Sequence, residues 1–133
     1  MVDTFTILVI DDDPAVLETV TNLLAAAGYR ALAAASGPEG LALARVERPD
    51  LVLLDLYIPG MDGAAVLGAL KADAATRTIP AVALTAAIAT DVGRLVAAGC
   101  NGYIPKPLVP GTFLPLIRQF LRASVARAPG PRQ

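Results

Sequence analysis

The sequence predicts a single α/β domain built on a parallel sheet of five strands. Five short strand-like runs alternate along the 133-residue chain with segments of helical character, and this alternation is typical of βα units and a parallel sheet. Three of the runs are almost continuously apolar, as expected for strands that helices cover on both faces. A chain of this length with 55% hydrophobic residues can bury one substantial core.

The strand-like runs divide into central and edge positions. The first, third and fourth are the apolar ones and are predicted to be central, whereas the second is mixed. The fifth contains Pro105, which cannot donate a ladder hydrogen bond and is tolerated mainly on an edge strand. The second and fifth runs are therefore predicted to be the edges. In chain order the five runs are TILVI (6–10), RALAA (30–34), LVLLD (51–55), AVALT (81–85) and GYIP (102–105).

Helix start signals precede the first two predicted helices. Asp13 followed by Pro14 is typical of an N-cap with proline at the first helical position, and the helix that it opens is expected to end near Gly28. Ser36 and Glu39 have the spacing of a capping box, in which each side chain accepts a hydrogen bond from the other residue's backbone N–H.

Three more helices complete the pattern. They are predicted from about Gly63 to Ala72, from about Ile88 to Ala98, and from Thr112 to Ala123 with Pro115 in the first turn. The fourth has the weakest pattern because alanines dilute it. Residues 125–133 carry no core-forming pattern and are expected to form a disordered tail after a domain of residues 1–124.

Composition excludes several classes of protein. A net charge of −1 gives no broad attraction to nucleic acid or to anionic lipid. The sequence lacks an apolar run of about 18 residues, as a membrane span would need, and its start lacks the pattern of a secretory signal. Its single cysteine, Cys100, cannot form an internal disulfide. A cytoplasmic location is expected.

Polar side chains follow four of the predicted strands at their carboxyl ends. In an open parallel sheet this edge is where ligands bind, so these side chains are expected to converge. A bare carboxylate at the end of a buried strand is costly unless it is paired, neutralised or bound to a metal. The residues are Asp11, Asp12 and Asp13 after the first strand, Asp55 at the end of the third, Thr85 at the end of the fourth, and Lys106 after the fifth.

The chemistry of this set favours Mg²⁺ and a phosphoryl group. Neighbouring carboxylates repel one another and need raised pKa values or a cation. Mg²⁺ prefers oxygen ligands, and the absence of histidine from the sequence disfavours a zinc site. Together with the metal, a lysine and a hydroxyl can hold three phosphoryl oxygens. Asp55 is then the candidate nucleophile, since carboxylates form aspartyl-phosphate intermediates.

Four stretches of the chain resemble the receiver domain of bacterial two-component response regulators, in its single-domain, chemotaxis-regulator-like form. They occur in the family's order and cover nearly the whole chain. The resemblance implies a flavodoxin-like, doubly wound parallel sheet with strand order 2-1-3-4-5 and five flanking helices. The stretches are ILVIDDDP (7–14), DLVLLDLYIPGMDG (50–63), IPAVALTA (79–86) and AGCNGYIPKPL (98–108).

The resemblance also implies roles for individual residues. Asp55 would be the phosphoacceptor and a ligand of Mg²⁺ or Mn²⁺, with Asp12 as a direct ligand and Asp11 acting mainly through water. Asp13 occupies a variable position and is assigned to helix capping rather than to the metal. The remaining implied roles are a backbone carbonyl ligand from Tyr57, phosphoryl binding and switching by Thr85, Ala86, Lys106 and Tyr103, and a cis peptide bond before Pro107.

Two variable positions, Tyr57 and Ala87, flank the route by which water would reach the acyl phosphate in this family. A bulky Tyr57 is expected to shield the phosphoryl group and to lengthen its lifetime.

The predicted function is a phosphorylation-dependent switch rather than an enzyme with turnover. It would accept phosphoryl groups from a histidine kinase, a histidine phosphotransfer protein or a small acyl phosphate, and lose them slowly. Its readout face would combine helix four, strand five and helix five, where a downstream protein or a second copy would bind. No direct contact with nucleic acid or membrane is expected. Because the chain ends soon after helix five, no DNA-binding or enzymatic output domain is expected, and the tail residues after helix five slightly favour a stand-alone regulator over an excised receiver.

Three alternatives use similar features. A phosphatase of the haloacid dehalogenase class would need a second acid two residues after the nucleophile, where this chain has Tyr57. A pseudo-receiver that only binds proteins would lack one of the key residues, yet Asp12, Asp55, Thr85 and Lys106 are all present. A flavodoxin-like cofactor binder would need a phosphate-cradling loop after the first strand, and the acidic sequence there would repel phosphate unless a metal intervened.

Overall fold

The structure is a computed structural model that describes residues 4–55, 63–85, 97, 99–106 and 108–127. Within these residues the chain forms five strands and four helices. In chain order they are β1 (Thr6–Ile10), α1 (Pro14–Ala26), β2 (Arg30–Ala34), α2 (Gly37–Glu47), β3 (Leu51–Asp55), α3 (Gly63–Ala72), β4 (Ala81–Thr85), β5 (Gly102–Pro105) and α4 (Pro110–Arg127).

The five strands form one parallel sheet in the order β2-β1-β3-β4-β5. This confirms the predicted order, with the mixed strand and the proline-containing strand at the two edges. The register pairs Ile10 with Leu54, Asp55 with Leu84, and Thr85 with Pro105. The carboxyl ends of β1, β3, β4 and β5 therefore lie side by side along one edge of the sheet.

Hydrophobic cores cover both faces of the sheet, as the apolar strands predicted. Alternate residues of β1 point to opposite faces: Leu8 and Ile10 belong to the core beneath α2 and α3, and Ile7 and Val9 to the core beneath α1 and α4. All five residues of β3 are buried. The last of them is Asp55, so the central strand carries its carboxylate directly out of the core.

The caps of α1 and α2 show how these helices begin. Oδ1 of Asp13 accepts a hydrogen bond from the N–H of Ala15 at 2.9 Å, and Pro14 is the first helical residue, as predicted. Oγ of Ser36 likewise accepts from the N–H of Glu39 at 3.2 Å. The return bond of the predicted capping box differs, because Glu39 Oε1 accepts from the N–H of Ala35 at 2.9 Å rather than from Ser36.

Helix α4 corresponds to the fifth predicted helix, and it is longer than predicted at both ends. It begins at Pro110 because the carbonyl of Val109 accepts the first helical hydrogen bond, from Phe113 at 2.7 Å, and proline suits the first position since its missing N–H would have no partner there. The expectation that Pro115 lies in the first turn is wrong, because Pro115 is the sixth helical residue.

Other predictions fall partly or wholly outside the described residues. The predicted helix from Ile88 to Ala98 lies outside them except for residue 97, and residues 128–133 of the predicted tail also lie outside. Residues 125–127 form the last turn of α4. Among the residues that are described, none of the helices combines the length and apolar character needed to cross a bilayer.

Candidate functional site

Three carboxylates meet at the carboxyl edge of the sheet. Asp11 follows β1 and is fully buried, Asp55 ends β3 and is 9% exposed, and Asp12 is exposed. One carboxylate oxygen from each of the three lies within 4.8 Å of the others. The parallel pairing of β1 with β3 produces this arrangement, because it brings the two strand ends next to each other.

Lys106 reaches this cluster from the end of β5. Its Nζ atom donates to Oδ2 of Asp11 at 3.1 Å and to Oδ2 of Asp55 at 3.4 Å. The lysine side chain is 23% exposed and the Asp11 side chain is completely buried, so this ion pair is largely shielded from water. The sheet therefore brings together Asp11, Asp12, Asp55 and Lys106. The first and last of these are 95 positions apart in the sequence.

Asp11 also receives a hydrogen bond from its own strand end. The backbone N–H of Asp13 donates to Oδ1 of Asp11 at 2.9 Å, while Lys106 occupies Oδ2. Each oxygen of the Asp11 carboxylate thus accepts a hydrogen bond. As a result, these two hydrogen bonds hold the buried carboxylate in one orientation.

Burial and neighbouring charges shift the pKa values of both Asp11 and Lys106. Burial raises the pKa of Asp11, against the lowering effect of the bonds from Asp13 and Lys106, and the nearby charge of Asp55 raises it further. Burial alone would lower the pKa of Lys106, but the hydrogen bond to Asp11 and the charges of Asp55 and Asp11 outweigh it and raise the pKa overall. Lys106 therefore keeps its positive charge at neutral pH.

The donor set suits a hard divalent cation. All three acids offer oxygen ligands, which Mg²⁺ prefers. Among the described residues, one ammonium group faces these three carboxylates, which leaves the cluster acidic. A cation would relieve the cost that burial imposes on the ionised form of Asp11. Asp11, Asp12 and Asp55 are the side chains that could hold it.

The other predicted site residues are only partly described. Thr85 is the last residue of β4 and lies in register with Pro105 of β5, the residue before Lys106. The structure describes the backbone of Thr85 but not its side chain. Tyr103 is on β5 and is 44% exposed. Tyr57, Ala86, Ala87 and Pro107 lie outside the described residues.

Comparison with known proteins agrees with the geometry. The sequence model of the family described as the response regulator receiver domain matches residues 7–118. The chain belongs to this family. The receiver domain is 35% identical to the polar-differentiation response regulator DivK of Brucella ovis over 119 residues, which cover 89% of this chain and 97% of that one. Proteins of this family are regulatory signalling modules rather than enzymes of the usual kind.

Solved structures show the same fold. The receiver domain superposes on the Vibrio cholerae chemotaxis protein CheY4 with a TM-score of 0.83 and 28% identity, covering 88% of this chain and 98% of that one. It superposes on the receiver domain of the sensor histidine kinase PA1611 of Pseudomonas aeruginosa PAO1 with a TM-score of 0.82 and 27% identity, covering 90% and 99%. That second structure has a magnesium ion coordinated in its active-site cleft.

Sequence reasoning missed one contact of the site, the hydrogen bond from the N–H of Asp13 to Asp11. A signal for it was present, because a short aspartate side chain readily accepts from the backbone N–H two residues further on. The same spacing gives the bond from Ala15 to Asp13, which the sequence did predict. Two overlapping turns of this kind therefore run through the acidic stretch.

Proposed function

We propose that this receiver domain is a phosphoacceptor switch in which Asp55 carries the phosphoryl group. The observation that supports this most strongly is the position of Asp55, which leaves the buried central strand beside two other acids and 3.4 Å from the Lys106 ammonium. A carboxylate placed next to groups that neutralise phosphoryl charge is arranged for phosphoryl transfer, which depends mainly on positioning and charge stabilisation.

The metal assigned to this site is Mg²⁺, with Mn²⁺ as an alternative. Asp11, Asp12 and Asp55 would hold it, together with the backbone carbonyl of Tyr57, and the magnesium ion in the PA1611 receiver structure supports the assignment. When bound, the ion supplies positive charge that offsets the charge of the phosphoryl oxygens. Asp11 would contribute mainly through water, because both of its oxygens already accept hydrogen bonds.

Lys106 would bind an oxygen of the phosphoryl group through its ammonium. Its ammonium stays charged because of Asp11 and Asp55, and it lies within hydrogen-bond reach of the Asp55 carboxylate on which the phosphoryl group would be placed. Thr85 and Ala86 would bind the remaining phosphoryl oxygens, and a cis bond before Pro107 would aim the lysine into the site.

The transfer step needs a donor from outside the chain. A carboxylate oxygen of Asp55 attacks the phosphorus, a new P–O bond forms, and the bond from phosphorus to the donor breaks, with the electron pair leaving on the donor. The chain contains no histidine, so a phosphohistidine donor would be a histidine kinase or a phosphotransfer protein. A small acyl phosphate would serve as well, and slow hydrolysis would reset the switch.

The output of the switch is a change of surface. Phosphorylation can shift an existing equilibrium only by its differential affinity for the two states. Thr85 and Tyr103 would transmit the change to the face made by the predicted fourth helix, β5 and α4. Tyr103 is 44% exposed, so an inward turn of its ring would change the surface of β5. A downstream protein or a second copy of the chain would bind this face, with no direct role for nucleic acid or membrane.

Labelling with acetyl phosphate tests the proposal. Incubation with Mg²⁺ should add the mass of one phosphoryl group to the intact parent protein, and Asp55→Asn should abolish the addition. Asp73→Asn is the matched control, because Asp73 is a surface acid that pairs with Arg45 away from the cluster, and it should label like the parent. Failure of the parent to label in the presence of Mg²⁺ would instead favour a pseudo-receiver that binds partners without phosphorylation.

A further inference from the structure

We propose that Asp13 is a positioning residue that fixes the metal-binding and phosphoryl-accepting cluster to helix α1. This inference rests on the proposed function and deepens it. Two hydrogen bonds of Asp13 link α1 to the cluster. Its side chain accepts from the N–H of Ala15 in the first turn of α1 at 2.9 Å, and its backbone N–H donates to Oδ1 of Asp11 at 2.9 Å. It therefore joins the helix to the carboxylate.

The contacts continue from Asp11 into the rest of the site. Oδ2 of Asp11 accepts from Lys106, and Lys106 also donates to Asp55. A continuous series of hydrogen bonds thus runs from the first turn of α1 through Asp13, Asp11 and Lys106 to Asp55. The link from Asp13 to Asp11 is made by a backbone N–H, so it depends on the backbone conformation at residue 13.

Helix α1 is a rigid support for this series. Val20 and Leu24 of α1 are completely buried against the core that β1 and β3 share with α4. Pro14 limits the backbone at the first helical position. The carbonyl of Asp13 accepts the first helical hydrogen bond, from Leu17 at 3.0 Å, so three groups of Asp13 are engaged and its backbone is fixed relative to the helix.

The consequence concerns the orientation of Asp11. If the side chain of Asp13 no longer capped α1, the backbone at residue 13 would be freer to rotate, and its N–H would hold Asp11 less well. Groups that orient a metal ligand from behind typically change metal affinity by about 10- to 100-fold when they are removed. Asp13 acts on Asp11 through the backbone, so the lower part of that range is expected.

The test is calorimetric titration with Mg²⁺ alone of the parent, Asp13→Ala, Asp13→Asn and Ser36→Ala. Asp13→Ala should weaken Mg²⁺ binding by about tenfold and slow labelling by acetyl phosphate. Asp13→Asn should bind within about twofold of the parent, because asparagine caps helices as well as aspartate does. Titrations are made at a temperature where circular dichroism shows each variant to be folded.

Ser36→Ala is the matched control. Ser36 caps α2 in the same way, and the hydrogen bonds described for this cap join Ser36, Glu39 and Ala35 rather than any acid of the cluster, so its loss should lower stability while leaving Mg²⁺ affinity unchanged. An Asp13→Ala variant that binds Mg²⁺ like the parent would overturn the inference, and so would an Asp13→Asn variant as weak as Asp13→Ala. A parent that takes up neither Mg²⁺ nor a phosphoryl group would instead refute the proposed function.

Discussion

Lys106 donates to Oδ2 of Asp11 across 3.1 Å although the two residues are 95 positions apart in the sequence. The pair joins the ends of β1 and β5, with β3 and β4 between them, so it spans the site. Its geometry makes Lys106 the counter-ion of a completely buried carboxylate. Among the described residues, Lys106 is the cation that offsets the charge of this carboxylate.

Replacement of Lys106 should lower the free energy of unfolding by an amount that depends on pH. Lys106→Met leaves the Asp11 carboxylate without its counter-ion, which should lower the free energy of unfolding by about 1–3 kcal/mol at pH 7 in EDTA. The pKa of Asp11 is raised in the folded state and should rise further in the variant. Because the folded protein then binds the proton more tightly than the unfolded chain, the loss should shrink as the pH falls through the folded pKa.

Lys71→Met is the control for this prediction. Lys71 is also partly buried, but its Nζ donates to the neutral carbonyl of Ile79 at 3.2 Å. Urea unfolding should therefore show that Lys71→Met lowers the free energy of unfolding by a similar amount at pH 7 and at mildly acidic pH, without following the titration of Asp11. Equal pH dependence in the two variants would contradict the role assigned to the Lys106–Asp11 pair.

The surface pair of Arg45 and Asp73 should also make a pH-dependent contribution to stability, although the pKa of Asp73 is lowered whereas that of Asp11 is raised. The N–H of Ala75 and the side chain of Arg45 lower the pKa of Asp73 below its ordinary value of 3.8. Such a group stabilises the fold above its unfolded pKa, and the stabilisation is lost as the pH falls through the lower folded value. Asp73→Asn should thus be less stable than the parent at pH 7, and the difference should disappear as the pH falls below the folded pKa of Asp73.

A double-mutant cycle with Arg45→Gln separates the two causes. If the ion pair at 2.6 Å contributes, Asp73→Asn will cost less in the Arg45→Gln background than in the parent. The remaining cost includes the weakening of the bond from Ala75 when its acceptor loses its charge. A stability difference for Asp73→Asn that does not change as the pH falls through the acidic range would show that charge is not its origin.

Gly102 should be intolerant of a side chain because β5 and α4 approach each other there. A Cβ atom at this position would lie 2.5 Å from Cε1 of Phe120, so Gly102→Ala should destabilise the fold by about 1–3 kcal/mol. Adding Phe120→Leu should recover part of the loss. Gly68→Ala is the control, since a Cβ there meets nothing within 4 Å, and alanine should stabilise helix α3 by up to about 1 kcal/mol.

Tyr57 should control the lifetime of the phosphoryl group. We expect its bulk to keep water from the acyl phosphate on Asp55, so Tyr57→Asn should lose the label faster than the parent. The measurement is the decay of the phosphorylated mass after removal of the donor. A rate that is unchanged or slower in the variant would refute the shielding role.

The strands were predictable in detail from the sequence. All five predicted runs match the observed strands residue for residue. A charged or turn residue marks at least one end of four of them, at Asp11, Asp50, Pro80 and Asn101. The ends of α4 were not predictable, since Pro110 and Gly111 suit a loop as well as a first turn and the cap is the Val109 carbonyl. Backbone acceptors of this kind have no signature in residue type.

The site was predictable as a set of residues but not as a network. The alternation of strands and helices sufficed to place Asp11, Asp55 and Lys106 at one edge, since parallel strands end together. The lengths of their contacts depend on side-chain conformations, so the closer approach of Lys106 to Asp11 than to Asp55 emerges only from the structure. The same holds for the backbone bond from Asp13.

The most direct test of the central claim is to locate the phosphoryl group. After acetyl phosphate and Mg²⁺ have labelled the protein, borohydride reduction converts a phosphorylated aspartate to homoserine, which mass spectrometry of the peptides can place in the sequence. If Asp55 carries the phosphoryl group, homoserine should be found at position 55 and at no other aspartate. Homoserine at position 11, 12 or 13, or its complete absence from labelled protein, would show that Asp55 is not the phosphoacceptor.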